Sequence, residues 1–172
     1  MKTRVYKYIL VFGMLFFILI SCEGSKKIDI DQEKEKILEL HNLQRKYHFE
    51  KMVKEFLDQN SNDFISVNNG VVSTPTKEEM TTRFTKYFNA VEFEKWDDIN
   101  PPVIRFSDDY SMAYTVVNKE VVVKYQNAEG IESKQKTEFS WVAIYKKYSE
   151  EGWKLDCITS TNKPSSTEVI EN

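Results

Sequence analysis

DFISVNNGVVSTPTKEEM, residues 63–80, is the stretch on which the fold turns. Phe64-Ile65-Ser66-Val67 and Val71-Val72-Ser73 flank Asn68-Asn69-Gly70, and Asn-Gly tolerates the positive φ that a tight primed turn requires, so the segment predicts a β-hairpin. Thr76 with Glu79 three residues on is a capping-box pattern. Met80, Phe84, Tyr87, Phe88 and Val91 then recur at helical spacing. A hairpin running directly into a capped helix divides the chain into a part before it and a part after it.

The part before is helical in pattern. Asp31, Glu33 and Glu35 stand where they complement a helix dipole, and Ile37, Leu40, Leu43, Gln44, Tyr47 and His48 share one broad face. Phe49, Met52, Val53 and Phe56 project from nearly the opposite side, with no Pro or Gly between. One straight helix would have to bury both stripes. The jump therefore predicts two helices, Asp31 to His48 and Phe49 to Gln59, with a change of direction between Tyr47 and Lys51.

The part after reads as strands at Glu92–Asp97, Val103–Ser107, Ser111–Lys124, Lys134–Lys147 and Trp153–Thr161. The separators are turn-rich: Pro101-Pro102, Asp108-Asp109, Asn127 to Gly130 and Glu150 to Gly152. Short turns between long strands predict an antiparallel meander with helices on one face. Residues 31–164 make one domain, and 165–172 a disordered tail.

This order of elements resembles the nuclear transport factor 2-like superfamily, in its SnoaL-like, ketosteroid isomerase-related branch. The segments that carry the resemblance are Leu40-His41-Asn42-Leu43-Gln44-Arg45, Asp63 to Gly70, Pro75 to Arg83, Trp96-Asp97-Asp98-Ile99 with Pro101-Pro102, and Trp153 to Asn162. It implies an α+β fold, a cone-shaped, strongly bent antiparallel sheet wrapped around three N-terminal helices, with a cavity at the wide end. It also implies pairing of related folds through the outer face of the sheet. Isomerases, cyclases, dehydratases and association modules share the superfamily, so the resemblance leaves activity open.

At the N-terminus, Lys2, Arg4 and Lys7 precede the apolar run Ile9–Ile20, and Leu19-Ile20-Ser21-Cys22 resembles the lipobox of a bacterial lipoprotein signal peptide. The run is shorter than the roughly 20 apolar residues a spanning helix needs. The resemblance implies cleavage after residue 21, lipid on Cys22, a flexible tether over 22–30, and a domain anchored in the cell envelope and facing the periplasm or cell surface. Removing the signal takes away three basic residues and no acidic one from a chain of formal charge −3. The acidic balance, without a basic stripe, argues against nucleic acid. With Cys22 lipidated, Cys157 is left alone and no intramolecular disulfide forms.

Candidate site residues fall in three groups. His41, Gln44 and His48 lie within one arc of the first helix, a polar patch that reads either as a hydrogen-bonded interface or as one wall of a pocket. Trp96, Tyr114 and Trp141 read either as core or as an aromatic wall for a flat hydrophobic ligand. Asp97, Asp98, Glu120, Glu138 and Asp156 are candidate acids or bases; Asp97 and Asp98, beside Trp96, read as solvated caps or as carboxyls whose pKa desolvation raises. His41 and His48 stand roughly 10 Å apart along a helix, too far to share a metal. No metal site, nucleophile elbow or phosphate loop is expected, and no cofactor. Two classes stay open: a non-catalytic module that binds a small hydrophobic ligand or associates, as a possible homodimer, and a cofactor-independent acid/base enzyme. Val121-Val122-Val123 is apolar on both sides of its strand, which predicts either a partner over the second face or a bulge near Asn118 to Glu120.

Overall fold

The structure, a computed structural model, describes residues 28–170; the expected signal peptide, Cys22 and the tether up to residue 27 lie outside the described residues. Helix α1 (Ile30–Phe49) starts at Asp29, whose side chain accepts from the Gln32 backbone N–H. Its buried line is Glu33, Ile37, His41, Gln44 and His48. Four of these five are polar, so the helix is held by matched partners more than by an apolar stripe. Helix α2 (Val53–Leu57) follows a break at Lys51, which takes a left-handed φ of 56°. The predicted change of direction is therefore present, and α2 is shorter than expected: Phe49 stays in α1, and Asn60 already belongs to a strand.

The hairpin joins β1 (Asn60–Asn68) to β2 (Val71–Ser73) through Asn69 and Gly70, at φ 49° and 78°. Both values are positive, as a type I′ turn demands. Helix α3 (Lys77–Ala90) begins at Thr76, whose hydroxyl accepts from the Glu79 N–H while the Glu79 carboxylate accepts from the Thr76 N–H. The remaining strands are β3 (Glu92–Asp98), β4 (Val103–Phe106), β5 (Met112–Gln126), β6 (Glu132–Tyr148), β7 (Gly152–Asn162) and β8 (Ser166–Val169).

One curled, eight-stranded sheet runs β2-β1-β7-β6-β5-β3. The expected meander holds for β5, β6 and β7, and two features depart from it. Strands β3 and β4 do not pair with each other; they lie end to end along β5, β3 on Lys119–Lys124 and β4 on Ala113–Val116. Strand β1 lies parallel to β7, making the sheet mixed. The tail expected to be disordered instead forms β8 through Val169, pairing with Ser133–Lys136 where β7 no longer covers β6. An open strand edge offers unpaired N–H and C=O groups, and the tail satisfies them.

The inner face of the sheet carries Ala113, Val117, Trp141, Ala143, Tyr145, Trp153 and Leu155, packed against Ile37, Leu57 and Met80 of the helices. Phe88, Val91, Phe93, Val121 and Val123 form a second apolar group toward the end of α3. Val122 points outward yet is buried. Lys95 and Lys136 stand opposite it on either side, and their ammoniums meet at Glu120. Flanking lysine stems account physically for the burial of Val122; β5 carries no bulge between Asn118 and Glu120, and the bulge lies instead on β3, between Phe93 and Lys95.

Candidate functional site

Along β5 the alternation Ala113, Thr115, Val117, Lys119, Val121 puts Lys119 on the inner face. Its ammonium, only 3% exposed at the side chain, lies 2.7 Å from Asp98 Oδ1. Asp98 ends β3 opposite Lys119, and its other oxygen is 2.8 Å from His41 Nε2 on α1. Burial works to raise the Asp98 pKa, but the bonds to His41 and Lys119 outweigh it and hold the carboxyl below its ordinary value. The reading of Asp98 as a carboxyl raised by desolvation is thus reversed. Desolvation by burial is present, and the two partners overcome it.

Two turns along α1, His48 bonds through Nδ1 to the Gln44 carbonyl at 2.6 Å. Its ring stacks on Trp96 with centroids 3.6 Å apart, inside a ring of Phe56, Phe88 and Phe93. Burial, with the nearby Lys119 charge, pushes the His48 pKa down to about 4 against the opposing bond to Gln44. His48 is a neutral core residue at pH 7. Trp96 and Trp141 lie 6.3 Å apart, and the Lys119 ammonium is 5.7 and 5.9 Å from their ring centroids.

Of the six residues named from sequence, the structure therefore brings five to the interior: His41, Gln44, His48, Trp96 and Trp141. Tyr114 is the exception. It has the opposite parity on β5 to Thr115 and Ala113 and projects from the outer face, 43% exposed. Lys119 and Glu33 are buried charged groups that the sequence reading missed. Counting every second residue along β5 finds Lys119 among inward positions, whereas nothing local marks Glu33. That carboxylate accepts from Trp153 Nε1 at 2.6 Å and pairs with Lys147 and Lys36; these bonds prevail over burial and lower its pKa to about 2.

Among the described residues four buried polar atoms have no hydrogen-bond partner: His41 Nδ1, Trp96 Nε1, Thr115 Oγ1 and Asp98 Oδ1, the last of which is met by the Lys119 ammonium at 2.7 Å. Each such group costs about 1–3 kcal/mol unless something else satisfies it. Asp97, the neighbour of Asp98, bonds to Arg45 at the surface as a solvated cap would. Glu120 and Glu138 lie in lysine pairs on the outer face, and Asp156 accepts from Ser61 and Tyr148. Among the described residues no three His, Cys, Asp or Glu side chains are grouped to hold a metal, and no helix is long and apolar enough to cross a membrane.

The outer face has two halves. One is the charged ladder of Lys95, Lys136, Lys124 and Lys134 with Glu120 and Glu94. The other exposes Val103, Met112, Tyr114 and Val116 at 41–46%. Register extends this apolar half across the sheet, from Tyr114 to Ile144, Cys157 and Ile65, and from Val116 to Val142.

No protein-family model matches the chain, and no curated protein sequence matches it. Solved structures do. An NTF2-like protein from Cytophaga hutchinsonii is 14% identical, with 76% of this chain and 98% of that one covered and a TM-score of 0.57. A ketosteroid isomerase-like protein from Erwinia carotovora atroseptica is 12% identical over 74% and 95%, also at 0.57. The CaMKII hub of S. rosetta is 14% identical over 75% and 95%, at 0.51. The fold is NTF2-like.

Proposed function

We propose that this chain is a lipid-anchored envelope domain that associates through the outer face of its sheet. The apolar half of that face carries the reading: Val103, Met112, Tyr114 and Val116 are exposed side by side, whereas the other half is covered by lysine–glutamate pairs. A contiguous exposed apolar patch rimmed by charge fits an interface, and a two-fold pairing would set like patch on like patch. The fold it shares with a hub protein is compatible with this. Anchoring rests on residues 19–22, which resemble a lipobox. Sedimentation of the full chain in detergent tests association: wild type should run as a dimer at micromolar concentration, and Tyr114→Lys as a monomer with its melting temperature kept. A monomeric wild type rejects the reading. Fatty-acid labelling tests anchoring separately, since Cys22→Ser should incorporate none.

A second reading is favoured by one observation, the unpartnered His41 Nδ1. His41 is held by Asp98 through Nε2, and its other ring nitrogen, though buried, has no hydrogen-bond partner among the described residues. An interior that keeps such atoms suits a small ligand, or a reaction in which His41 serves as a base.

A further inference from the structure

We propose that the free edge of β2, together with the cleft between it and α3, docks an extended peptide segment that carries a carboxylate. This site is separate from the outer-face patch and from the interior. β2 ends the sheet and pairs with β1 alone. The two-residue turn makes Asn68 and Val71 a bonded pair, so the N–H and C=O of Val72 point away from β1. Residues 71–74 are all exposed, Val71 and Val72 by 64% and 69%, so no described residue covers this edge. The edges at β3 and β4 are blunted. β3 carries a bulge and the charges of Glu92, Glu94, Lys95, Asp97 and Asp98, and β4 follows Pro101-Pro102. β2 carries Val71, Val72 and Ser73 and no charge.

A strand of three residues offers few main-chain bonds, so recognition needs the cleft beside it. That cleft, about 320 Å³, is lined by Ser73, Thr74, Pro75, Glu79, Met80 and Arg83. Met80 belongs to the core and gives the cleft an apolar floor. Its two charges differ in their commitments. The Glu79 carboxylate is turned back onto the N–H and hydroxyl of Thr76. Arg83, one turn further along α3, has its guanidinium 4.8 Å from the Phe84 ring centroid and makes no ion pair among the described residues. An unused guanidinium beside an apolar floor is the complement of a carboxylate carried on an apolar chain. An added strand meets both requirements: its main chain bonds to Val72, and every second side chain enters the cleft on the Ser73 side.

The test uses the full chain in detergent and a phage library of random octapeptides. Selection is run on wild type and on Val72→Pro, which removes the outward N–H and leaves the pairing with β1 intact. Wild type should enrich β-branched peptides that contain Asp or Glu, and should bind them about tenfold more tightly than Val72→Pro does. In the best of these peptides, made synthetically, replacing the acid by its amide should weaken binding about tenfold, and Arg83→Gln should remove that difference. Amide hydrogen exchange of the wild type with the same peptide needs no variant. Exchange should slow at Val72, whose N–H is free, and stay unchanged at Val71, whose N–H is already bonded to β1. No enriched peptide, or unchanged exchange at Val72, would overturn the site. Acid and amide peptides of equal affinity would overturn the carboxylate assignment. Should Val72→Pro fold poorly, the exchange measurement decides.

Discussion

The imidazole of His48 lies face to face with the indole of Trp96, 3.6 Å between centroids and 22° from parallel. The contact joins the C-terminal half of α1 to β3 at the point where Phe56, Phe88 and Phe93 also converge. A charged imidazole in that setting would lose its water for a box of aromatic rings, with the Lys119 ammonium nearby and Asp98 taken by His41 and Lys119. Neutral His48 is therefore part of what holds the helix on the sheet.

Acid should weaken the fold through this residue. Its pKa falls from 6.5 to about 4 on folding, so between those values the unfolded chain binds more protons and stability rises with pH. The contribution is complete above about pH 6.5 and is lost progressively toward 4. From pH 7 to pH 5 the loss is about 2 kcal/mol, and urea unfolding at the two pH values measures it. His48→Phe should flatten that window. Glu33, held near 2, acts in a separate range, losing its contribution as pH drops below its ordinary 4.5.

The Asp98 and Lys119 pair should behave as a coupled unit. Asp98→Asn leaves a buried ammonium without its carboxylate, at a cost of about 3 kcal/mol. Adding Lys119→Met removes the stranded charge, so the double variant should be more stable than Asp98→Asn alone. Denaturant midpoints of wild type, both singles and the double complete the cycle. Additive losses would show that the two groups do not act together.

Lys51 takes φ 56° to turn α1 into α2, a conformation that glycine adopts without strain. Lys51→Gly should raise stability by roughly 0.5 kcal/mol, the relief of strain exceeding the added freedom of the unfolded chain. Lys51→Val should lower it by more than about 1 kcal/mol, since a β-branched residue is poorly tolerated there. Thermal melts of both variants read the sign directly.

Local signals in the sequence determined the local structure. Asn69-Gly70 set the hairpin, Thr76 with Glu79 set the start of α3, and the jump of the apolar stripe at Phe49 set the break before α2, because each depends on residues within a turn or two of one another. The inward arc of α1 was legible for the same reason, and with it His41, Gln44 and His48. Tertiary structure alone decided what those residues meet. Asp98 reaches His41 across 57 positions, Trp153 reaches Glu33 across 120, and no periodicity records a partner that far along the chain. The parallel pairing of β1 with β7, and the antiparallel pairing of the C-terminal tail with β6, were likewise settled by which strand edges stood open once the sheet had curled. Tyr114 makes the same point at the scale of one residue: its aromatic ring was plain in the sequence, but the face it occupies depends on the register of β5, where a shift of one position exchanges inside for outside.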